Sequence, residues 1–313
     1  MISLRRYTAS DKSVWDGFVK GAKNATFLFL RDYMDYHRDR FTDHSLMFYD
    51  DNSLYALLPA NIDGDTFHSH QGLTYGGIIL GQKASTPTTL TLFDVLNEYL
   101  KGIGVKRVVY KPVPHVYHSL PAEEDLYALY WRCHATIARR DIGTMLEFSN
   151  HPRWARLRRR GVKHAAEAGV TVQEDDNLET FWQILEQNLW DCHGVKPVHT
   201  VEEMRLLKSR FPENIRLYNA YKDGKAVGGI VLYIYNKVVH AQYSSANPEG
   251  KRLGALDAIY DKILNDDFKE YKYFDWGRST EGDGHLLNEN LVMQKEGFGG
   301  RAVIYDIYEY TLS

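Results

Sequence analysis

The chain has 313 residues, 44% hydrophobic and 25% charged, with 38 Lys plus Arg against 41 Asp plus Glu and a net charge of −3. That balance excludes a globally basic nucleic-acid binder and leaves only a local patch open; the length allows two domains or one large one. Two cysteines, Cys133 and Cys192, are too few for a disulfide framework, no apolar run nears the roughly 20 residues of a membrane span, and the N-terminus MISLRRYTASDKSVWDGF has no signal core, so a cytoplasmic protein without a transmembrane segment is expected.

In chain order, SLMFYD and SLYALLPANI flank Asp51-Asn52 and predict a hairpin. TFHSHQGLTYGGIIL (66–80) fills the place of a third strand. TTLTLFDVLNEYLKGIG predicts an amphipathic helix ending in glycine. KRVVYKPVP reads as a strand stopped by prolines, EEDLYALYWRC as a helix, and ATIARRDIGTMLEF as closing strands. Next, NHPRWARLRRRGVKHAAEAGVTV sets Arg153, Arg156, Arg160 and Lys163 on one helical face. Such a face is either solvated and salt-bridged or a grip for phosphates.

The second half repeats the order. Two amphipathic helices (LETFWQILEQNLW and TVEEMRLLKSRF) lead into IRLYNAY (215–221), an Asp-Gly turn, VGGIVLYIY (227–235) and KVVHAQYSSAN (237–247). GKRLGALDAIYDKILNDDF predicts one helix, with Leu253, Leu256, Ile259, Ile263 and Leu264 at helical spacing. The strand YKYFDW, a glycine-rich loop, the helix HLLNENLVMQKE and the strand AVIYDIYEYTL complete the chain. Tandem copies of one α/β unit, 1–150 and 151–313, explain the repetition. Each copy would be a mixed, largely antiparallel sheet flanked by helices.

No G-x-x-x-x-G-K-[ST] loop, no G-x-G-x-x-G after a strand and no G-x-S-x-G elbow occurs. His115 with His118, and Cys192 with His193, lack convincing metal spacing, so no metal is expected. A chain without an obvious nucleophile can still catalyse acyl transfer by aligning donor and acceptor. It then needs donors to the developing oxyanion and a base for the amine proton. Base candidates in the second half are Asp275, Glu281, Asp283, His285 and Tyr243. Tyr243 on the third strand reads first as core filling, and Asp275 equally as a turn-forming carboxylate.

Three stretches carry a family resemblance: RRRGVKHAAEAGVTV, AVGGIVLYIYNKVVHAQYSSANPEGKRLGALDAIYDKI, and YFDWGRST followed by VMQKEGFGG. With LTYGGII and YKPVPHVYH in the first half, their order resembles the Fem-like branch of the GNAT acyltransferase superfamily. That branch carries two GNAT units. The pattern departs at Gln294, where a Phe is common, but keeps Lys295, Phe298 and Gly299. The resemblance implies that Asp275 closes the strand where GNAT sheets part to admit an acyl donor. It places Arg278, Ser279 and Thr280 at the cleft mouth and Lys295 near the acyl carbonyl or a donor phosphate. Tyr75, Lys111 and Tyr117 become substrate-binding candidates in the first half. The slot for the family's phosphate loop holds NPEGKRLGAL, so Gly250, Lys251, Arg252 and Gly254 are the cofactor-binding candidates, off consensus. The implied reaction is transfer of an acyl group, acetyl from acyl-coenzyme A in the favoured case, to an amine of a cell-envelope sugar or peptidoglycan precursor. An aminoacyl-tRNA donor is the alternative, and a degraded, non-catalytic binding module a third possibility.

Overall fold

The computed structural model describes residues 1–312. In chain order its strands are β1 (Ile2–Arg6), β2 (Leu46–Asp50), β3 (Ser53–Leu58), β4 (Asn61–Asp63), β5 (Thr66–His68), β6 (Ile79–Leu80), β7 (Arg107–Tyr110), β8 (Thr136–Glu147), β9 (Thr171–Asp175), β10 (Ile215–Lys222), β11 (Lys225–Tyr235), β12 (Val238–Ala246), β13 (Tyr273–Arg278), β14 (Thr280–Glu281), β15 (Leu286–Leu287) and β16 (Arg301–Thr311). The helices are α1 (Lys12–Gly21), α2 (Arg31–Met34), α3 (Thr86–Gly102), α4 (Glu124–Trp131), α5 (Arg156–Glu167), α6 (Leu178–His193), α7 (Val201–Arg210), α8 (Pro248–Leu253), α9 (Ala255–Asp261) and α10 (Glu289–Gly297). The chain divides into two compact units, Met1–Asp141 with Ile304–Ser313, and Ile142–Val303. The end of the last strand thus belongs to the first unit, a placement that local sequence does not reveal.

In the first unit, β1, β2, β3 and β6 form an antiparallel sheet. A second group joins β4 to β5 antiparallel, β5 to β7 in parallel, and β7 to the end of β16 antiparallel. The gap between β6 and β7 is closed. Tyr110 Oη accepts from the Ile78 N–H and donates to Asp125 Oδ2, each at 2.7 Å. Gly77, at φ 78°, lies so near that a Cβ would come within 2.8 Å of that oxygen. The Gly76 N–H donates to the Lys111 carbonyl at 2.8 Å, and Lys111 Nζ donates back to the carbonyls of Gln71 and Leu73. The segment between β5 and β6 is therefore strapped across the end of β7.

Burial raises the Asp125 carboxyl to about 7, while the Tyr110 hydroxyl acts against that shift. The folded chain then holds a proton that the unfolded chain releases near pH 4. Stability is full below about pH 4 and falls as pH rises through about 7. Asp125→Asn should flatten that slope in urea titrations at pH 4.5 and 7.5.

In the second unit, β9, β10, β11 and β12 run antiparallel. β12 then pairs with β13 in parallel, and β13 with Gly143–Glu147 of β8 antiparallel. The apolar face of this sheet packs on α9 through Ile230, Leu232, Val239, Phe274 and Trp276. Helix α6 lies against the other face, where Phe181 and Trp182 are buried. The single helix predicted over 250–268 is broken: Gly254 is left-handed at φ 77° and separates α8 from α9, and a π-wound turn, Lys262–Asp267, follows. The helix predicted from His285 begins only at Glu289, capped by the Asn288 side chain on the Leu291 N–H. Residues 286–287 instead pair with 280–281 as a small hairpin. Its tip turns through Gly282, Asp283 and Gly284, all at positive φ.

Candidate active site

Strands β12 and β13 pair only from Val238–Tyr273 to His240–Asp275. Beyond that rung β12 runs on to Ala246 and β13 to Arg278 without pairing to each other. The opening holds a 210 Å³ crevice lined by Ala241, Ser244, Ser245 and Ala246 of β12 and Trp276 of β13, with Tyr260, Lys295 and Phe298 deeper and Asn188, Lys251 and Gln294 around it. Burial pushes Tyr260 up to about 12, with hydrogen bonds to Ser244 and Trp276 acting the other way. Ser245 Oγ is buried there with no hydrogen-bond partner among the described residues. A buried hydroxyl is costly to leave without a hydrogen bond.

Lys295 lines this crevice, and its ammonium is fully engaged. It donates to the Gly277 carbonyl at 3.0 Å, the Arg278 carbonyl at 2.8 Å and Ser279 Oγ at 2.8 Å. Burial lowers it to about 8, opposed by the charge of Asp275. Lys295 thereby ties α10 to the end of β13 beside the crevice. Phe298, at 0% exposure, packs edge-on against Trp154 and lies 4.7 Å from the ring of Tyr260.

Asp275 is buried at 1% exposure. Its Oδ1 accepts from the Gly277 N–H at 2.7 Å and its Oδ2 meets His240 Nδ1 at 2.9 Å. His240 is the residue that sequence reading missed. It sits inside an apolar strand, and only the parallel register of β12 and β13 sets it opposite Asp275. Tyr243 does not line the crevice. A bulge at Gln242, where Leu232 faces Ala241 and Val231 faces Tyr243, turns it onto the face that His240 occupies. There its hydroxyl lies 2.6 Å from His199 Nδ1 and its ring stands edge-on to Trp182.

His285, Glu281 and Asp283 lie exposed on the hairpin, outside the crevice wall. Arg278 is exposed, Ser279 is buried under Lys295, and Thr280 pairs with Leu287. Of the cofactor-binding candidates, Gly250 is needed for packing: a Cβ there would lie 2.0 Å from the Val227 carbonyl oxygen. Its N–H is already capped by Asn247 Oδ1 at 2.8 Å. Lys251 reaches the crevice rim and bonds Asn188, Arg252 is exposed, and Gly254 makes the break between the helices. In the first unit, Tyr75 and Tyr117 are buried with ring centroids 4.9 Å apart, and Lys111 holds the strap described above. Arg153, Arg156, Arg160 and Lys163 are all exposed, whereas Arg158, off that face, turns inward to Asp257 at 2.9 Å. The side chain of His193 lies outside the described residues. No cluster of three metal-ligating side chains occurs among those described.

Residues 149–284 match the profile of the family described as "Acetyltransferase (GNAT) domain". The fold is also similar to solved structures of low identity. FemX superposes with a TM-score of 0.69 at 11% identity, covering 99% of this chain and 97% of that one. The fold of the whole chain is thus that of FemX and of tandem GNAT proteins, and the GNAT domain match lies in its second half. A tandem GNAT protein from the clavulanic acid biosynthesis pathway has a TM-score of 0.57 at 9% identity, over 100% of this chain and 99% of that one. The C-terminal domain of a putative lysylphosphatidylglycerol synthetase from Agrobacterium fabrum has a TM-score of 0.62 at 13% identity, over 97% and 92%. No curated protein matches this chain in sequence.

Proposed function

We propose that the chain is an N-acyltransferase whose second unit binds the acyl donor where β12 and β13 part. The parting of those strands, with its 210 Å³ crevice, is the observation that carries the reading. Beyond His240 no strand pairs with β12 on its β13 side, which leaves room for an extended donor arm, and the unpartnered Ser245 hydroxyl supplies a polar contact. The reaction is direct attack of an amine on the donor's acyl carbonyl within a ternary complex, so that alignment supplies most of the acceleration. Acyl-coenzyme A, acetyl in the first instance, is the donor, and the acceptor is an amine on a cell-envelope sugar or peptidoglycan precursor. The acceptor rests on the Fem-like resemblance.

An aminoacyl-tRNA donor is the second reading. It is favoured by the Gly250 N–H being capped from within and by the exposed basic face of α5. Steep weakening with salt marks a tRNA complex, through counterion release.

Thermal-shift titrations with acetyl-coenzyme A, coenzyme A and charged tRNA decide between the donors. A ligand at about 100 times its Kd should stabilise the folded chain by about 2.7 kcal/mol. Ser244→Trp, which puts an indole into the crevice from an exposed position, should abolish the shift and leave the unliganded Tm within a few degrees. Absence of a shift with all three ligands would support a binding module instead.

A further inference from the structure

We infer that His240 is the general base of the transfer, held in its working tautomer by Asp275; this rests on the reading just given. Asp275 is acceptor-only when ionised, so its bond to Nδ1 requires the proton to sit on that nitrogen. Nε2 then keeps a lone pair, the form that accepts a proton. The Gly277 N–H occupies the other carboxylate oxygen, which stops the carboxylate from turning away from the ring.

Position supports the same role. His240 and Asp275 form the last rung before the strands separate. The ring lies against Gly277, where a Cβ would come within 3.2 Å of Cε1, and glycine at φ 69° leaves that space clear. The same Gly277 presents its carbonyl to Lys295, a wall of the crevice. The imidazole does not line the crevice but lies on the sheet face it shares with Tyr243; it is 17% exposed against 1% for the carboxylate, so the ring, not Asp275, is the group an acceptor approaching from that face can reach. The order is that of a base backed by an orienting acid.

Atoms balance as follows. The amine lone pair attacks the acyl carbon, a C–N bond forms, and the donor's C–S or C–O bond breaks. The amine proton passes to His240 Nε2, with Asp275 stabilising the imidazolium. It then passes to the leaving thiolate or alkoxide, and the imidazole ends neutral.

The test uses the full chain with acetyl-coenzyme A or alanyl-tRNA as donor and glucosamine as the amine. His240→Ala should lower kcat by about 10²–10⁴-fold with KM nearly unchanged, and added imidazole should restore part of the loss. His240→Gln, which keeps a polar side chain of similar reach, should stay folded and equally slow. Nitrogen NMR of the side chain should find the proton on Nδ1, and a mixture of tautomers in Asp275→Ala. Unchanged turnover in His240→Ala, or a proton on Nε2, overturns the base role alone. If the intact chain transfers from neither donor, the proposed function fails and the base role with it.

Discussion

Lys295→Met should destabilise the second unit by at least about 3 kcal/mol. Methionine matches the length of the lysine stem but offers no donor. The Gly277 and Arg278 carbonyls and Ser279 Oγ would lose the ammonium that serves all three. Each polar group left dry costs about 1–3 kcal/mol, with partial relief where water reaches the strand end. Lys295→Arg should destabilise the unit as well, because a flat guanidinium cannot aim three donors at acceptors grouped around one point. A pH signature accompanies the loss. The folded amine titrates at about 8, below its unfolded value near 10.4, so the unfolded chain binds more protons between the two. Native stability should therefore rise from about pH 8 to about pH 10.5, and Lys295→Met should lack that rise. Urea denaturation across this range, followed by tryptophan fluorescence, measures both effects. A variant as stable as the parent would remove the claim that Lys295 clamps the end of β13.

Phe298→Ala should cost about 3–5 kcal/mol, the range for emptying a buried aromatic site. The ring is wholly enclosed, with Trp154 at 5.1 Å, Tyr260 at 4.7 Å and Trp276 stacked at 6.2 Å between centroids. The Arg158 guanidinium also sits 5.4 Å above it while pairing with Asp257. Collapse into the gap is limited because Tyr260 and Trp276 also form the crevice wall. Phe298→Leu should recover most of the stability and separate packing from chemistry. Chemical denaturation of the two variants gives the comparison, and a loss below about 1 kcal/mol for the alanine would show that this ring is not a keystone of the second core.

The repeated hairpin–strand–helix order was legible because each element follows a local period. Apolar runs beside an Asp-Gly turn marked β10, β11 and β12, and a 3.6-residue period marked α6 and α7. Local rules failed where one residue changes the geometry of its neighbours. Gly254 occupies a left-handed conformation that a helical reading of 250–268 does not foresee. The bulge at Gln242 reverses the inside-outside parity of Tyr243, so a residue read as core or crevice meets His199 instead. The helix cap at Asn288 moved the start of α10 past His285 and left that histidine on an exposed hairpin. Of the candidate site, Lys295 was legible through a motif, whereas His240 was not, because a lone histidine in an apolar strand carries no signal of its partner.

The amino-acid sequence alone predicted most strands and helices of an α/β chain and singled out the segment around Asp275 and Lys295 as a candidate site. These follow from periodicity, turn residues and short spacings, all of them interactions among near neighbours in the chain. Tertiary structure alone decided which unit keeps an opening. Tyr110 and Lys111 seal the gap in the first, whereas in the second β13 leaves β12 after Asp275 and its end is bonded by Lys295 and by β8. It also decided that His240 meets Asp275. Both outcomes depend on the register between strands distant in sequence, which the long-range packing of a whole sheet sets and no local pattern encodes.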